Sequence, residues 1–200
     1  GVDVGLAYFL STSEGVQVKR PKFFVSMQRQ LKSLQRSLKN KQLGSANWQK
    51  QQRRIARLHE RIANTRKIFH FKLAHALCDA ADVVVVENLN LTGLSRGCLG
   101  KHMLDAGHGQ FLNQVLPWVC RKRGVGYVKV KAAGTSQECP QCGSSVTKTI
   151  EDRWHRCDCG CSMPRDIASG MVIKNRAVGR TVFENACGDG LTGVTASAVA

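Results

Sequence analysis

The sequence predicts an α/β fold carrying an inserted metal-held segment, and three observations lead there. Val83 to Val86 are four consecutive valines closed by Glu87, a composition that signals a central strand buried on both faces with helices above and below. Leucine and isoleucine recur at three- and four-residue spacing over the preceding fifty residues, which signals long amphipathic helices. Five of the nine cysteines fall within 23 positions of a hydrophilic stretch, Cys139 to Cys161, a density that packing does not explain. With 200 residues and 42% hydrophobic content, the chain can bury one sizeable core beside a small metal-stabilised insert.

Taken in order, Gly1 to Leu10 is an apolar run that reads as a buried strand, with a single carboxylate, Asp3. A carboxylate there is costly unless it is paired or faces a cation. A turn at Ser13 to Gly15 leads to Val16–Phe24, expected as the returning strand of a hairpin. Met27, Leu31, Leu34 and Leu38, then Ile55, Leu58, Ile62, Phe69, Leu73 and Leu77, define two helices folded back on each other over 25–79, the second capped by Ser45 or Asn47. Ala80–Leu91 is the central strand and delivers Glu87 to the rim of the sheet. Thr92–Gly109 reads as a long glycine-punctuated loop. Gln110–Arg123 reads as a helix that Pro117 can kink, and Tyr127–Val130 as a further strand. A helix starting at Pro164 carries Asp166, and the small residues from Asn185 onward read as a disordered tail.

The formal net charge is +16, which favours a polyanionic partner, nucleic acid ahead of an anionic membrane surface. No apolar run approaches the roughly 20 residues a membrane span needs. Between Lys19 and Lys72 there are 16 Lys and Arg against one acid, Glu60, so the helical hairpin holds nearly all of the surplus. Its exposed face, through Arg53, Arg57, Arg61, Arg66 and Lys67, is the candidate phosphate-binding surface.

Cys139 and Cys142 form a C-x-x-C knuckle followed by Gly143, and Cys157 and Cys159 form a second, followed by Gly160. Four thiolates at this spacing suit a closed structural zinc site on which a short segment can fold. Cys161 lies just beyond, and the spacing alone leaves open which of Cys157, Cys159 and Cys161 is spare. His155 is near enough to substitute as a ligand. An odd cysteine count and no signal peptide argue against a disulfide framework and for a reducing compartment. Cys78, Cys98, Cys120 and Cys187 then read as free thiols, and His70 and His75 as surface or satisfied core residues.

Asp3, Glu87 and Asp166 lie far apart in sequence, yet strand, strand and helix can converge at one sheet edge. Three hard-oxygen ligands placed so would suit a pair of Mg2+ ions of the kind that hydrolyses phosphodiesters.

The motifs G-V-D-V-G-L, V-V-V-V-E-N-L, T-S-Q-E-C-P-Q-C-G and P-R-D-I-A-S, with the basic run R-I-A-N-T-R-K-I-F-H over Arg61–His70, resemble the RuvC motifs, zinc ribbon and preceding helix of TnpB, the transposon-encoded OrfB proteins related to type V CRISPR effector nucleases. The resemblance covers the chain to about residue 185. It implies an RNase H-like (RuvC) domain over 1–135, a zinc ribbon over 136–162, the last RuvC helix over 163–185 and a tail over 186–200. It further implies Asp3, Glu87 and Asp166 as catalytic acids holding Mg2+ or Mn2+, a guide RNA and a DNA target as partners, and recognition lobes lying upstream of Gly1. The setting it implies is a prokaryotic cytoplasm, with the protein at the nucleoid when it acts. Two positions depart from the pattern. The second knuckle is C-x-C where the family has C-x-x-C, and keeping the C-G pair in register with Asp166 selects Cys157 and Cys159, with Cys161 in reserve. Ala168 replaces the asparagine usual two residues after the last acid, which bears on cleavage rather than on metal binding. A non-cutting guided binder and a transposase remain as rival readings.

Overall fold

The computed structural model describes residues 1–96, 100–149 and 151–186, with the side chains of 94, 95 and 179–186 excepted. Seven strands and seven α-helices follow one another as β1 (Val2–Val4), β2 (Tyr8–Thr12), β3 (Gln17–Lys19), α1 (Phe23–Lys39), α2 (Ala46–Ala80), β4 (Val83–Asn88), α3 (Leu91–Ser95), α4 (Gly100–Ala106), α5 (His108–Gln110), a π-helical turn (Phe111–Val115), α6 (Leu116–Arg123), β5 (Gly126–Lys131), β6 (Trp154–Arg156), β7 (Ser162–Pro164) and α7 (Arg165–Ala186). The main sheet has the order β3-β2-β1-β4-β5, antiparallel through the first three strands and parallel from β1 through β4 to β5. Strands β6 and β7 form a separate antiparallel pair.

The expected first strand is two. The apolar run bends after Val4, and β2 returns with Val4 opposite Leu10. Gly5 opens the bend, its N–H directed at the Phe9 carbonyl, and no Asn-Gly or proline signal marks it in the sequence. Consequently Val16–Phe24 splits between β3 and the first turn of α1. The span expected as a loop, Thr92–Gly109, contains α3 and α4, while Pro164 closes β7 and the last helix starts one residue later. Pro117 sits in the first turn of α6, where its missing N–H is tolerated, and the turn before it widens to the π spacing. Helix α7 runs on through Asn185 and Ala186, where the expected tail begins, and the rest of that tail, Cys98 and Cys187 lie outside the described residues.

Alternation along the strands divides the core. Val2, Val84 and Val86 face one side with Phe9, Leu10, Ala74 and Cys78 of α2, Phe111 and Val119. Val85 and Val130 face the other, against Ile173 and Ala177 of α7. Each fully buried valine contributes about 1.5–3 kcal/mol. The far side of the hairpin has its own core, in which Phe23 and Leu31 meet Ile55, Leu58 and Ile62. Ser45 caps α2, its hydroxyl accepting from the Trp48 N–H at 3.2 Å. His70 and His108 are buried beside Phe9, each directing Nε2 at a backbone carbonyl, Ala106 at 3.0 Å and Phe9 at 3.1 Å. Burial pushes both imidazoles down to about 4. His75, by contrast, is exposed.

Helix α7 lies directly on the sheet because residue 170 is glycine. A Cβ there would stand 3.0 Å from the Ser13 nitrogen and 3.1 Å from the Thr12 carbonyl carbon. This close approach sets the height of the first turn of α7, and so of Asp166, above β1.

Candidate functional site

Strand parity places the first two acids. Val2 and Val4 turn toward the α2 side, so Asp3 turns toward α7, and Glu87, alternating with Val86, falls on the α7 face with Val85. The parallel register of Val2 with Val86 then sets Asp3 beside Glu87 at the C-terminal ends of neighbouring strands. Asp166, in the first turn of α7, lies close enough to act on Asp3. Burial first, then the Glu87 and Asp166 carboxylates, push Asp3 well above the usual carboxylate range. Burial also raises Glu87, against the opposing pull of Thr135 and Arg176. Glu87 is 8% exposed. The three carboxylates are nevertheless more open than the thiols, since among the described residues only cysteine-containing groups bring three or more ligand atoms within 4.8 Å of one another. A pair of ions about 3.5–4 Å apart would draw on a wider ligand set than one ion.

The surrounding side chains hold these acids in place, and most were invisible as site residues in the sequence. The Thr135 hydroxyl, buried between β5 and the ribbon, contacts the Glu87 carboxylate and lies 3.0 Å from the Ala132 carbonyl. It is the first residue of the T-S-Q-E-C-P motif, which was the one available signal. Arg165 Nε stands 3.6 Å from Asp166. Arg176 of α7 donates to the Lys131 and Ala133 carbonyls, both at 2.8 Å, and to Glu138 at 2.7 Å, thereby tying the strand exit and the start of the ribbon to the helix that carries Asp166. Ala168 is 1% exposed.

Residues 136–149 and 151–162 carry the thiols of the expected ribbon. Cys139, Cys142, Cys157 and Cys159 bring their sulfurs within 4.8 Å of one another, with Cys139–Cys159 at 3.6 Å and Cys142–Cys157 at 3.5 Å. Four sulfurs about 2.3 Å from a tetrahedral zinc would lie about 3.8 Å apart, so the donor set fits the ion. The glycines behind the two knuckles, Gly143 and Gly160, have φ of +74° and +90°, values that other residues rarely adopt. Hydrogen bonds from Ser144, hydroxyl and then backbone N–H, hold the Cys142 thiol down at about 6. Cys161 stands outside this four-thiol group. Its carbonyl accepts from the Cys157 N–H at 2.9 Å, closing the second knuckle, and its buried sulfur belongs to a separate group with Cys139 and His155.

Of the basic candidates, Arg53, Arg57, Arg61 and Lys67 are exposed on α2. Arg66 instead turns inward, over the Phe23 ring and 3.8 Å from Asp105. Asp105 is 3% exposed, and from α4 it accepts the Phe24 N–H at 2.6 Å and the Val25 N–H at 3.4 Å. Helix α1 has no side-chain cap of its own, and Arg66 is spent on holding the residue that replaces one.

Residues 1–97 match the OrfB family of IS605 type, described as a probable transposase, and residues 108–173 match the Cas12f1-like TNB domain. A protein of Streptomyces pristinaespiralis provisionally named an RNA-guided DNA endonuclease is 30% identical over 194 residues, covering 96% of this chain and 47% of that protein. The similarly named InsQ of Escherichia coli K12 is 30% identical over 208 residues, covering 94% of this chain and 50% of InsQ. The chain thus spans about half the length of the curated relatives it matches. A solved Cas12f1–sgRNA–target DNA complex contains a chain that aligns with TM-score 0.61 at 18% identity, over 88% of this chain and 49% of that one. It shares the mixed α/β fold. No helix among the described residues is long and apolar enough to cross a membrane.

Proposed function

The chain is a TnpB-like protein of the OrfB family, and we propose that it is the nuclease part of an RNA-guided DNA endonuclease, with a RuvC-type site at Asp3, Glu87 and Asp166. One observation supports this reading: carboxylates from β4 and α7 lie near enough to the buried Asp3 on β1 to help push its carboxyl up, a repulsion that divalent cations would relieve. The three acids would hold Mg2+ or Mn2+, which when bound activates water and stabilises the leaving oxygen of a phosphodiester. The chain's own contribution is positional. Thr135 orients Glu87, Arg165 flanks Asp166, and Arg176 fixes α7 against the exit of β5. The exposed arginines of α2 hold backbone phosphates without reading sequence, which the family assigns to the guide RNA. The four-thiol ribbon, on zinc, holds the segment between Thr135 and Asp166 in register. The setting for such an activity is the bacterial cytoplasm, on nucleoid DNA.

The test uses the full-length protein with its guide RNA. Asp3→Ala, Glu87→Ala and Asp166→Ala should each abolish Mg2+- or Mn2+-dependent cleavage of guided plasmid DNA and leave target binding unchanged. Wild-type protein that binds its target but leaves it intact with either ion would overturn the proposal in favour of guided binding alone. Ala168→Asn then tests whether that departure is the cause, and the joining of transposon ends by purified protein would point to a transposase.

A further inference from the structure

We propose that the ribbon carries a second metal position, formed by Cys139, His155 and Cys161 and bridged to the four-thiol site through the shared Cys139 sulfur. Strand β6 alternates exposed, buried, exposed, and the one side chain it sends inward is His155, which is 0% exposed. Both of its ring nitrogens are buried without a hydrogen-bond partner. An imidazole in that state is an anomaly in a folded protein, because buried polar groups are almost always satisfied. What faces it is Cys161 at 2% exposure and Cys139 at 1%, and the three ligand atoms lie within 4.8 Å of one another. Two thiolates and an imidazole are the donors that soft and borderline cations select, Zn2+ and Cu+ among them, and that Mg2+ avoids.

Charge favours the second ion. Four thiolates around one dication leave two negative charges uncompensated, whereas five thiolates and a neutral imidazole around two dications leave one. This inference rests on the outer four-thiol site and is independent of whether the protein cuts DNA. It also gives a role to the fifth cysteine of the segment, which a single tetrahedral ion does not use.

The experiment is a Cd2+ titration of the metal-stripped full chain, followed through thiolate-to-cadmium charge-transfer absorption, to which carboxylate-bound ions do not contribute. Wild type should continue to gain absorption to about two equivalents per chain. His155→Phe, which refills the space with an apolar ring, and Cys161→Ala should each stop at about one equivalent while the ribbon stays folded. The wild-type count stands without any variant, so a poorly folding substitution does not shield the proposal. Saturation of wild type at one equivalent overturns it. So does a second equivalent that survives both substitutions. Because the count needs no guide RNA and no cleavage, it can fail while the nuclease reading stands.

Discussion

Asp3 is a carboxylate whose ionised form the fold disfavours. Its folded-state pKa is raised by burial and by Glu87 and Asp166, so ionised Asp3 is worse off folded than unfolded. The cost is absent below the unfolded carboxylate pKa of about 3.9 and grows as pH rises from there toward the raised folded value. In chelator at pH 7, Asp3→Asn should therefore be more stable than wild type, with a higher urea midpoint, and the difference should vanish as pH falls toward 4. Saturating Mg2+ should shrink or reverse it, because asparagine is the poorer ligand. Urea midpoints with and without EDTA check this, and an Asn variant less stable than wild type in chelator at neutral pH would refute it. Asp105 is the opposite case, an acid wholly occupied by structure. It caps α1 from 80 residues away, and Asp105→Ala should cost about 1–2 kcal/mol by leaving two half-buried backbone donors without their acceptor, readable as a lowered urea midpoint.

Among the elements, those with a long periodic signal were legible and those made by distant partners were not. The four-valine run became β4, with Val84, Val85 and Val86 buried, because hydrophobicity over both faces is a local property. The leucine and isoleucine series became α1 and α2 for the same reason. β1 and β3, at three residues each, are too short to carry a period. Helix α4 depends on Asp105 meeting α1 and on Lys101 reaching Gln28 at 2.7 Å, contacts no local pattern encodes. The candidate site divides likewise. The three acids stood out by their places, Asp3 within the first apolar run, Glu87 at the end of the four-valine run and Asp166 at the start of a helix, whereas Arg176 looks like any helix arginine until α7 is laid on the sheet. The ribbon is the element whose order should depend most on something outside the chain. Among its described residues, short strands and contacts with α7 hold it, so zinc on the four thiols would supply folding energy, on the order of 10 kcal/mol in small zinc modules. Chelation, or Cys142→Ser, should raise hydrogen exchange across 136–162 and leave β4 and β5 protected. Cys159→Ser should do the same, and Cys161→Ser much less. Uniform loss of protection across both regions would mean that ribbon and sheet unfold as one unit.

For the whole molecule, charge and fold are separated in space. The sheet and α7 hold the acids and the apolar core, while the hairpin between Lys19 and Lys72 holds 16 basic residues against one acid and keeps itself together with its own apolar seam. That seam lets the outer face repel itself without unfolding, and an anionic partner relieves the repulsion. Arg53, Arg57 and Arg61 follow one another at four-residue intervals along the exposed face of α2, on the side away from Ile55, Leu58 and Ile62. If they contact phosphates, changing all three to glutamate should flatten the slope of log K against log salt by about 2–3, each phosphate contact contributing about 0.7 on a single strand and 0.9 on duplex DNA. The circular dichroism spectrum should not change. Arg66→Gln provides the contrast, because its guanidinium is turned toward Asp105: it should lower the urea midpoint by about 1 kcal/mol in stability and leave the salt slope where it was. A triple variant with an unaltered slope would show that this face only keeps the protein in solution, and an Arg66→Gln variant that flattens the slope without loss of stability would show that the inward contact gives way when nucleic acid binds.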